Sequence, residues 1–143
     1  FSISSDAIQI ARIIRDQQDP VIKIGNMAAL RFVADVRDIV DVYYQLMLSY
    51  MGGKIEPGEI FHIAGNDLHT MQHYLDLMLE ISGLTDKVTL EIEPKFLRKV
   101  EIPVQIPDDS KVRTLLGWTP SIPIKETLED LVNYWLGELD NGN

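Results

Sequence analysis

The chain has 143 residues, of which 45% are hydrophobic and 24% charged, and 13 basic against 22 acidic residues give a net charge of -9. This composition predicts one globular segment with a single core, and the negative charge argues against binding to nucleic acid or to an anionic membrane. No run approaches the roughly 18 apolar residues that a membrane helix needs, and the absence of cysteine rules out disulfides and favours a cytoplasmic location.

The first third of the chain predicts a helix, a strand and a second helix. Ser4 and Ser5 are candidate caps for a helix from about Asp6 to Gln18, with Ala7, Ile10 and Ile14 on its buried side. A short strand follows at 21–24. An extended segment then leads into a helix over about 36–50, for which helical spacing predicts a buried face of Ile39, Tyr43, Leu46, Met47 and Tyr50.

The middle of the chain predicts a strand, a helix and a strand. Ile60 to Ala64 is an almost continuous apolar run between turn residues, which is typical of a buried parallel strand. Thr70 is a candidate cap for a helix over 71–82, with Gly83 at its end, and the run 88–93 alternates like a strand.

The last third predicts two more helices. A short one opens at Ser110 and closes before Gly117, a residue suited to the left-handed conformation that ends helices, and Pro120 prevents its continuation. The other covers about 125–139. Because strands alternate with helices, we expect an α/β fold.

Two familiar catalytic or metal-binding patterns fail on inspection. Tyr50 and Lys54 have the Tyr-x-x-x-Lys spacing of short-chain reductases, but Gly52 and Gly53 between them indicate a helix end instead of one catalytic face. His69 and His73 have the i, i+4 spacing of two metal ligands, but no third ligand accompanies them. A glycine-rich phosphate loop is absent. We therefore predict no catalytic, cofactor-binding or metal-binding residue in this chain.

Two arginines and one glutamate form the most informative set. Arg31 and Arg98 each follow an extended segment, and Glu101 lies three residues after Arg98 in a proline-rich loop. Taken singly, each charge indicates an ordinary surface ion pair. Together, two guanidinium groups could hold a diphosphate from two sides, and a carboxylate suits a vicinal diol.

Several motifs in the same order resemble the C-terminal, substrate-binding part of extended short-chain dehydrogenases that act on nucleotide sugars. They are IGN-x-x-A-x-R-x-x-x-D-V-R-D (24–38), E-I-F-H-I-A-G (59–65), L-R-x-x-E (97–101) and D-x-S-K-x-x-x-L-L-G-W-x-P (108–120), followed by a P-x-x-E-T-L-x-D-L-x-x-Y-W run (123–135). Within that family the pattern looks most like GDP-mannose 4,6-dehydratase and GDP-4-keto-6-deoxymannose reductase, with the reductase slightly favoured.

The resemblance implies a fold and a set of binding residues. Residues 1–143 would form the end of a Rossmann sheet and a small substrate-binding α/β subdomain. Arg31 and Arg98 would hold the nucleotide diphosphate and Glu101 the ribose hydroxyls, whereas the base would be bordered by Phe1, Ile3, Asn26 and Met27. This chain departs from the family pattern at Phe32, where an aspartate is usual, and at Lys99, where proline is usual.

The resemblance also implies a longer parent protein. The family's NAD(P)-binding Rossmann half, with its glycine loop and catalytic Tyr-x-x-x-Lys pair, precedes the part matched here, so we expect NAD(P) to be bound by the full-length protein and not by this chain alone. A GDP-sugar is the expected partner. The resemblance also implies that the full-length protein could form a homodimer. Two alternatives stay open: the same fold with a dTDP- or UDP-sugar, and a non-catalytic interaction domain that self-associates through the helices around Ile10 and Tyr43.

Overall fold

The structure, a computed structural model, describes residues 2–66 and 68–142 and has the α/β class that the sequence predicts. Its helices are Ser2–Ile14 (α1), Val36–Met51 (α2), Met71–Ile81 (α3), Ser110–Leu116 (α4) and Ile124–Asp140 (α5). Its strands are Val21–Ile24 (β1), Leu30–Phe32 (β2), Leu68–Thr70 (β3) and Thr89–Ile92 (β4), and one 3-10 turn covers Pro94–Phe96. None of the described helices is both long and apolar enough to cross a bilayer.

The chain divides into two compact units, which are described separately. Unit 1 contains Phe1–Arg31, His69–Val104 and Lys125–Asn143, and unit 2 contains Phe32–Leu68 and Gln105–Ile124. Those substrate-binding residues predicted from the sequence that the structure describes all belong to unit 1.

Unit 1 is built on a parallel strand pair covered by helices. β1 and β4 align Val21 with Thr89 and Ile24 with Ile92, and α1 packs against both β1 and α3. The fully buried side chains of this unit are apolar or aromatic and come from four elements: Ala7, Ile10, Ala11, Ile22, Tyr74, Leu75, Met78 and Leu128. Such a core fixes α1 on the strand pair and thereby positions the loop that follows β1.

The helix α1 begins earlier and ends earlier than the sequence predicts. It starts at Ser2, so Ser4 and Ser5 lie inside its first turns and do not cap it, and it ends at Ile14 instead of Gln18. Gln18 then donates from Nε2 to the carbonyl of Val21 at 2.7 Å. The glutamine therefore closes the edge of β1 instead of extending the helix.

The helix α3 confirms its predicted boundary signals. Thr70 is the N-cap, and its Oγ1 accepts a hydrogen bond from the backbone N–H of His73 at 3.1 Å. Gly83, just beyond the C-terminus, has φ +65°, a conformation that costs glycine little.

Unit 2 packs around a small core of Val42, Val112 and Trp118, against which Leu46, Phe61, Ile63 and Leu116 lie partly buried. The predicted inner face of α2 is wrong in part. Tyr43, Met47 and Tyr50 are exposed, whereas Asp38 and Val42 are buried. Helical spacing of apolar residues is satisfied on more than one side of this helix, so the pattern alone did not identify the buried side.

The buried face of α2 is fixed by a carboxylate. Asp38 is 4% exposed and accepts hydrogen bonds from the Ser121 hydroxyl at 2.9 Å and from the backbone N–H groups of Ser121 and Ile122 at 3.1 to 3.2 Å. These bonds tie α2 to the segment that follows α4. The helix α4 itself ends as predicted, with Gly117 in the left-handed region at φ 64°.

The strand predicted at Ile60 to Ala64 is not formed. No described residue of this segment pairs in a sheet, and Ile60 is 74% exposed, whereas Ala64 is buried. A strand needs a neighbouring strand for its backbone hydrogen bonds, and within the described residues none lies alongside this run. The prediction of a buried parallel strand at this segment is therefore wrong for the described chain.

The segment ends at a tight backbone approach. A Cβ placed on Gly65 would lie 2.1 Å from the carbonyl oxygen of Val33 and 2.9 Å from its carbonyl carbon. We expect Gly65→Ala to lower the free energy of unfolding by more than about 3 kcal/mol, because backbone atoms must move apart. In Gly137→Ala, the matched control in α5, nothing lies within 4 Å of the added methyl, and stability should rise by up to about 1 kcal/mol. Equal effects of the two substitutions in chemical denaturation would contradict this packing.

We expect Asp38→Ala to destabilise the protein by about 2 to 4 kcal/mol, since it removes the acceptor of buried N–H groups. The control is Asp41→Ala on the exposed side of the same helix, which should change stability by less than about 0.5 kcal/mol. Urea denaturation of both variants measures the difference. A loss of less than 1 kcal/mol in Asp38→Ala would show that these bonds are not what holds α2 to the segment after α4.

Candidate functional site

The site in unit 1 is organised by one ion pair between residues far apart in sequence. Arg31 donates from Nη2 to Oε1 of Glu101 at 2.8 Å, and from Nη1 to the carbonyl of Leu30 at 2.7 Å. Both side chains are about one fifth to one quarter exposed. The ion pair is thus sheltered enough to hold a defined geometry and open enough to be reached by a ligand.

Buried groups hold the backbone around Arg31 in place. Its carbonyl accepts a hydrogen bond from the hydroxyl of Tyr74, which is 1% exposed in α3, at 2.9 Å. The backbone N–H of the preceding Leu30 donates to the carbonyl of Pro103 at 2.8 Å. The guanidinium therefore projects from a fixed point of β2.

The loop that carries Arg98 and Glu101 is anchored at both ends. Before it, Phe96 packs so closely on Gly25 that a Cβ there would lie 3.0 Å from the Phe96 carbonyl oxygen. After it, Val104 forms a parallel bridge with Leu30. The loop consequently runs beside the chain segment from Gly25 to Leu30, and both segments contain predicted binding residues.

Arg98 lies on the exposed part of this loop. It forms no hydrogen bond or ion pair with any described residue, in contrast to Arg31. Because it is three residues from Glu101, its Cα lies no more than about 11 Å from that of Glu101. The structure thus brings Arg31 and Glu101 into contact and places Arg98 on the same loop, with its guanidinium unengaged.

Asn26 and Met27 lie in the turn after β1, and α3 holds that turn. Asn26 accepts from the backbone N–H of Ala28 at 3.1 Å, and the carbonyl of Met27 accepts from the backbone N–H of Gln72 at 3.0 Å. The first N–H groups of a helix have no partner inside it, so the turn satisfies donors that α3 would otherwise leave open. Both residues are partly exposed.

Ile3 is partly buried in the first turn of α1. Because Gln9 contacts Lys23 whereas the later Gln18 contacts the earlier Val21, the chain from α1 onward runs opposite to β1. Gln9 accepts from the backbone N–H of Lys23 at 2.8 Å and donates to its carbonyl at 3.1 Å, which fixes where α1 crosses β1. Six helical residues back to Ile3 and three extended residues on to Asn26 each cover roughly 9 to 10 Å. Ile3 and Asn26 therefore lie at the same end of unit 1. Phe1, the remaining predicted residue of the base pocket, lies outside the described residues.

The sequence analysis missed Asp6. It lies in α1 one turn after Ile3, is only 4% exposed, and forms no hydrogen bond or ion pair with any described residue. Burial raises the pKa of Asp6 from 3.8 to about 7. The available signal was an acid between Ile3 and Ile10 on the apolar side of the helix, where a solvated carboxylate is not expected.

The residues of the two patterns set aside in the sequence analysis have the following geometry. The helix α2 ends at Met51, and Gly53 has φ +71°, so Tyr50 and Lys54 do not share a helical face. His69 and His73 stack on each other with ring centroids 4.1 Å apart. Among the described residues, no group of three or more His, Cys, Asp or Glu side chains could hold a metal ion.

Comparison with known proteins identifies the family of the chain. A family model described as GDP-mannose 4,6 dehydratase matches residues 3–131, which is most of the chain. The chain belongs to this family. It is a nucleotide-sugar-processing family of the extended short-chain dehydrogenases, and the resemblance inferred from the motifs is confirmed.

Individual relatives agree with the family match. The GDP-6-deoxy-D-mannose reductase of Pseudomonas aeruginosa is 26% identical over 137 residues, which cover 94% of this chain and 42% of that protein. GDP-mannose 4,6 dehydratase 1 of Arabidopsis thaliana is 27% identical over 110 residues, covering 77% of this chain and 29% of that protein. The chain thus spans less than half the length of these relatives.

Solved structures show the same fold. The RMD structure from Pseudomonas aeruginosa, described as complexed with NADPH, has a TM-score of 0.83 at 22% identity, over 96% of this chain and 43% of that one. The UDP-glucose 4-epimerase of Thermotoga maritima, described with UDP-glucose, has a TM-score of 0.70 at 24% identity, over 94% of this chain and 40% of that one. The fold is that of the C-terminal portion of the extended epimerases and dehydratases, as predicted.

The raised pKa of Asp6 predicts a pH dependence of stability. Between about pH 4 and pH 7 the folded protein keeps the Asp6 proton while the unfolded chain loses it, so the free energy of unfolding falls as the pH rises. We expect Asp6→Asn to remove this loss and to gain stability over wild type, by about 4 kcal/mol at most near pH 8. The measurement is the difference in unfolding free energy between the two proteins at pH 4, 6 and 8. A difference that stays constant across that range would contradict the assignment.

Proposed function

We propose that this chain forms the GDP-sugar-binding part of an NAD(P)-dependent GDP-4-keto-6-deoxymannose reductase or GDP-mannose 4,6-dehydratase. The observation that carries the proposal is the Arg31–Glu101 ion pair, formed across 70 residues of sequence on the loop that also carries Arg98. Family membership supports a nucleotide-sugar as the class of ligand. The relatives described as acting on GDP-sugars support guanosine as its nucleoside.

Arg31 has the donors that a diphosphate requires. A guanidinium carries five N–H groups, and two of those of Arg31 are engaged by Glu101 and by the Leu30 carbonyl. Three remain for phosphate oxygens, and planar guanidinium groups match phosphate geometry in pairs of bonds. In this proposal Arg31 is the oriented cation, and the exposed Arg98 supplies the second cation from the loop.

Glu101 has two tasks in the proposal. In the ligand-free site it orients the guanidinium of Arg31 through Oε1. Oε2 has no hydrogen-bond partner among the described residues, so it is available to accept hydrogen bonds from the ribose hydroxyls. The same carboxylate can therefore link phosphate recognition to ribose recognition. The family usually has an aspartate at the position of Phe32, and in this chain Glu101 supplies an acid beside Arg31 instead.

The proposal assigns binding to this chain and chemistry to the NAD(P)-binding half of the full-length protein. NAD(P) would supply the hydride acceptor or donor there. The residues named here would hold the nucleotide equally in the substrate complex and in the transition state, so their loss would raise KM more than it lowers kcat.

A second candidate function rests on a different observation. One side of α2 exposes Val40, Tyr43, Tyr44, Met47 and Met51, each at least half exposed. A large apolar patch of this kind is typical of an interaction surface, which supports an interaction domain. The other half of that hypothesis is wrong, because Ile10 is completely buried and cannot contribute to self-association. Light scattering with and without GDP separates the two functions, since an oligomer that ignores GDP favours the interaction domain.

We expect Arg98→Ala in the full-length protein to weaken the binding of GDP-mannose by about 10- to 100-fold, because it removes a charge-assisted contact to phosphate. The matched control is Lys99→Ala, which removes a neighbouring exposed cation of the same loop and should change affinity less than about twofold. Isothermal titration calorimetry gives both dissociation constants. Equal losses of affinity in the two variants would show that Arg98 contributes only a general positive charge. An unchanged affinity in Arg98→Ala would show that Arg98 does not contact the ligand.

A further inference from the structure

His69 and Arg31 lie opposite each other on paired strands. β2 and β3 are hydrogen-bonded neighbours in one sheet. The backbone N–H of Met71, just after β3, donates to the carbonyl of Ala29, just before β2, at 3.0 Å. Because the end of one strand meets the start of the other, the two strands are antiparallel. Two residues inward from this contact on each strand, His69 is opposite Arg31.

The side chains of these two residues share one face of the strand pair. The backbone N–H of Leu30 donates to the carbonyl of Pro103 at 2.8 Å, on the side away from β3. The backbone groups of the next residue, Arg31, therefore point towards β3, which agrees with its pairing with His69. Directly opposite residues of an antiparallel pair have Cβ atoms about 4.5 to 5.5 Å apart on the same face. The imidazole of His69 is thus attached beside the guanidinium of Arg31.

Aromatic residues of α3 hold the ring of His69 in place. It stacks on the ring of His73 with centroids 4.1 Å apart, and the ring of Tyr74 meets it edge-on at 5.8 Å. The hydroxyl of Tyr74 in turn donates to the carbonyl of Arg31 at 2.9 Å. Stacking occupies a face of the imidazole and leaves its edge, where the nitrogen atoms lie, for hydrogen bonds. His69 is also partly exposed, so a ligand at Arg31 can reach it.

We propose that His69 is a further binding residue for the diphosphate of the nucleotide-sugar, beside Arg31. The inference rests on the proposed function, since it concerns the same diphosphate. An imidazole donates one hydrogen bond when it is neutral and two when it is protonated, and the protonated form adds a positive charge. Arg31 then supplies a permanent cation, and His69 supplies one that depends on pH.

The charges around His69 make its protonation depend on the ligand. The positive charge of Arg31 on β2 is offset by Glu101, whose carboxylate it contacts at 2.8 Å. On α3 the facing titratable groups are His73 and Tyr74, and two stacked imidazoles 4.1 Å apart would repel each other if both were protonated. A bound diphosphate adds negative charge and favours the protonated form of His69. Binding should therefore strengthen as the pH falls from about 8 towards 5, the range in which histidine titrates.

The experiment measures the affinity of the full-length protein for GDP-mannose by isothermal titration calorimetry at pH 6, 7 and 8. Both phosphates of this ligand are esterified, so its charge is constant over that range. His69→Phe keeps an aromatic ring in the stack but removes the nitrogen atoms. His73→Phe makes the same change in the other ring and is the matched control. Burial raises the pKa of Asp6 to about 7, so each variant is compared with wild type at the same pH.

We expect His69→Phe to weaken binding about tenfold at pH 6 and about threefold at pH 8, because it removes a charged donor at low pH and a neutral one at high pH. His73→Phe should stay within about twofold of wild type at every pH. An unchanged affinity in His69→Phe would overturn the inference. So would a loss that is the same at pH 6 and pH 8, which is the result of a merely structural role, or equal losses in the two variants.

Arg31→Gln distinguishes failure of the inference from failure of the proposed function. If Arg31→Gln weakens the binding of GDP-mannose and His69→Phe does not, His69 does not contact the diphosphate, and the proposed function stands. If wild type does not bind GDP-mannose, or Arg31→Gln binds it as tightly as wild type, the proposed function itself is wrong, and the inference is overturned with it.

Discussion

The ion pair between Arg31 and Glu101 is the contact on which the site depends. It joins β2 to a proline-containing loop that has no regular structure of its own. Beside it lie a backbone hydrogen bond from Leu30 to Pro103 and a partly buried hydrogen bond from the Tyr74 hydroxyl to the Arg31 carbonyl. A partly exposed ion pair contributes little to stability by itself. Its consequence is positional, because it fixes one cation and one anion next to each other where a third charged group, Arg98, lies within a few residues.

The contacts at the two ends of this loop place it beside other predicted binding residues. Its first residues pack on Gly25 and its last residues bridge to Leu30, so the loop lies along the turn that carries Asn26 and Met27. That turn is held by the first N–H groups of α3, and α1 is held to β1 by Gln9. Residues from four separate stretches of sequence are thereby brought to one region of unit 1, through backbone contacts and through the side chain of Gln9.

The features of the fold that could be predicted from the sequence are those determined by residues close together in the chain. A few neighbouring residues determine the cap at Thr70, the left-handed conformations of Gly83 and Gly117, and the strand Val21–Ile24. All of these are as predicted. The buried side of α2 was misassigned, because its apolar residues surround the helix and the deciding contact is from Asp38 to Ser121, 83 residues away. The run at Ile60 to Ala64 has strand composition but no neighbouring strand among the described residues, and pairing cannot be read from one segment.

The proposed binding residues show the same division. The motifs identified Arg31, Arg98 and Glu101 by family resemblance, and the structure adds that two of them pair directly. Asp6 was not found, because an acid in a helix is ordinary and only its burial makes it unusual. Family membership was read from motifs spread along the chain, and it supports a nucleotide-sugar as the proposed class of ligand.

The most direct test of the central claim is a crystal structure of the full-length protein with GDP bound. The account predicts that guanidinium nitrogens of both Arg31 and Arg98 lie within about 3 Å of diphosphate oxygens, with a Glu101 oxygen at the ribose hydroxyls. A structure in which the diphosphate lies away from β2, with Arg31 contacting only Glu101 and Leu30, would contradict it.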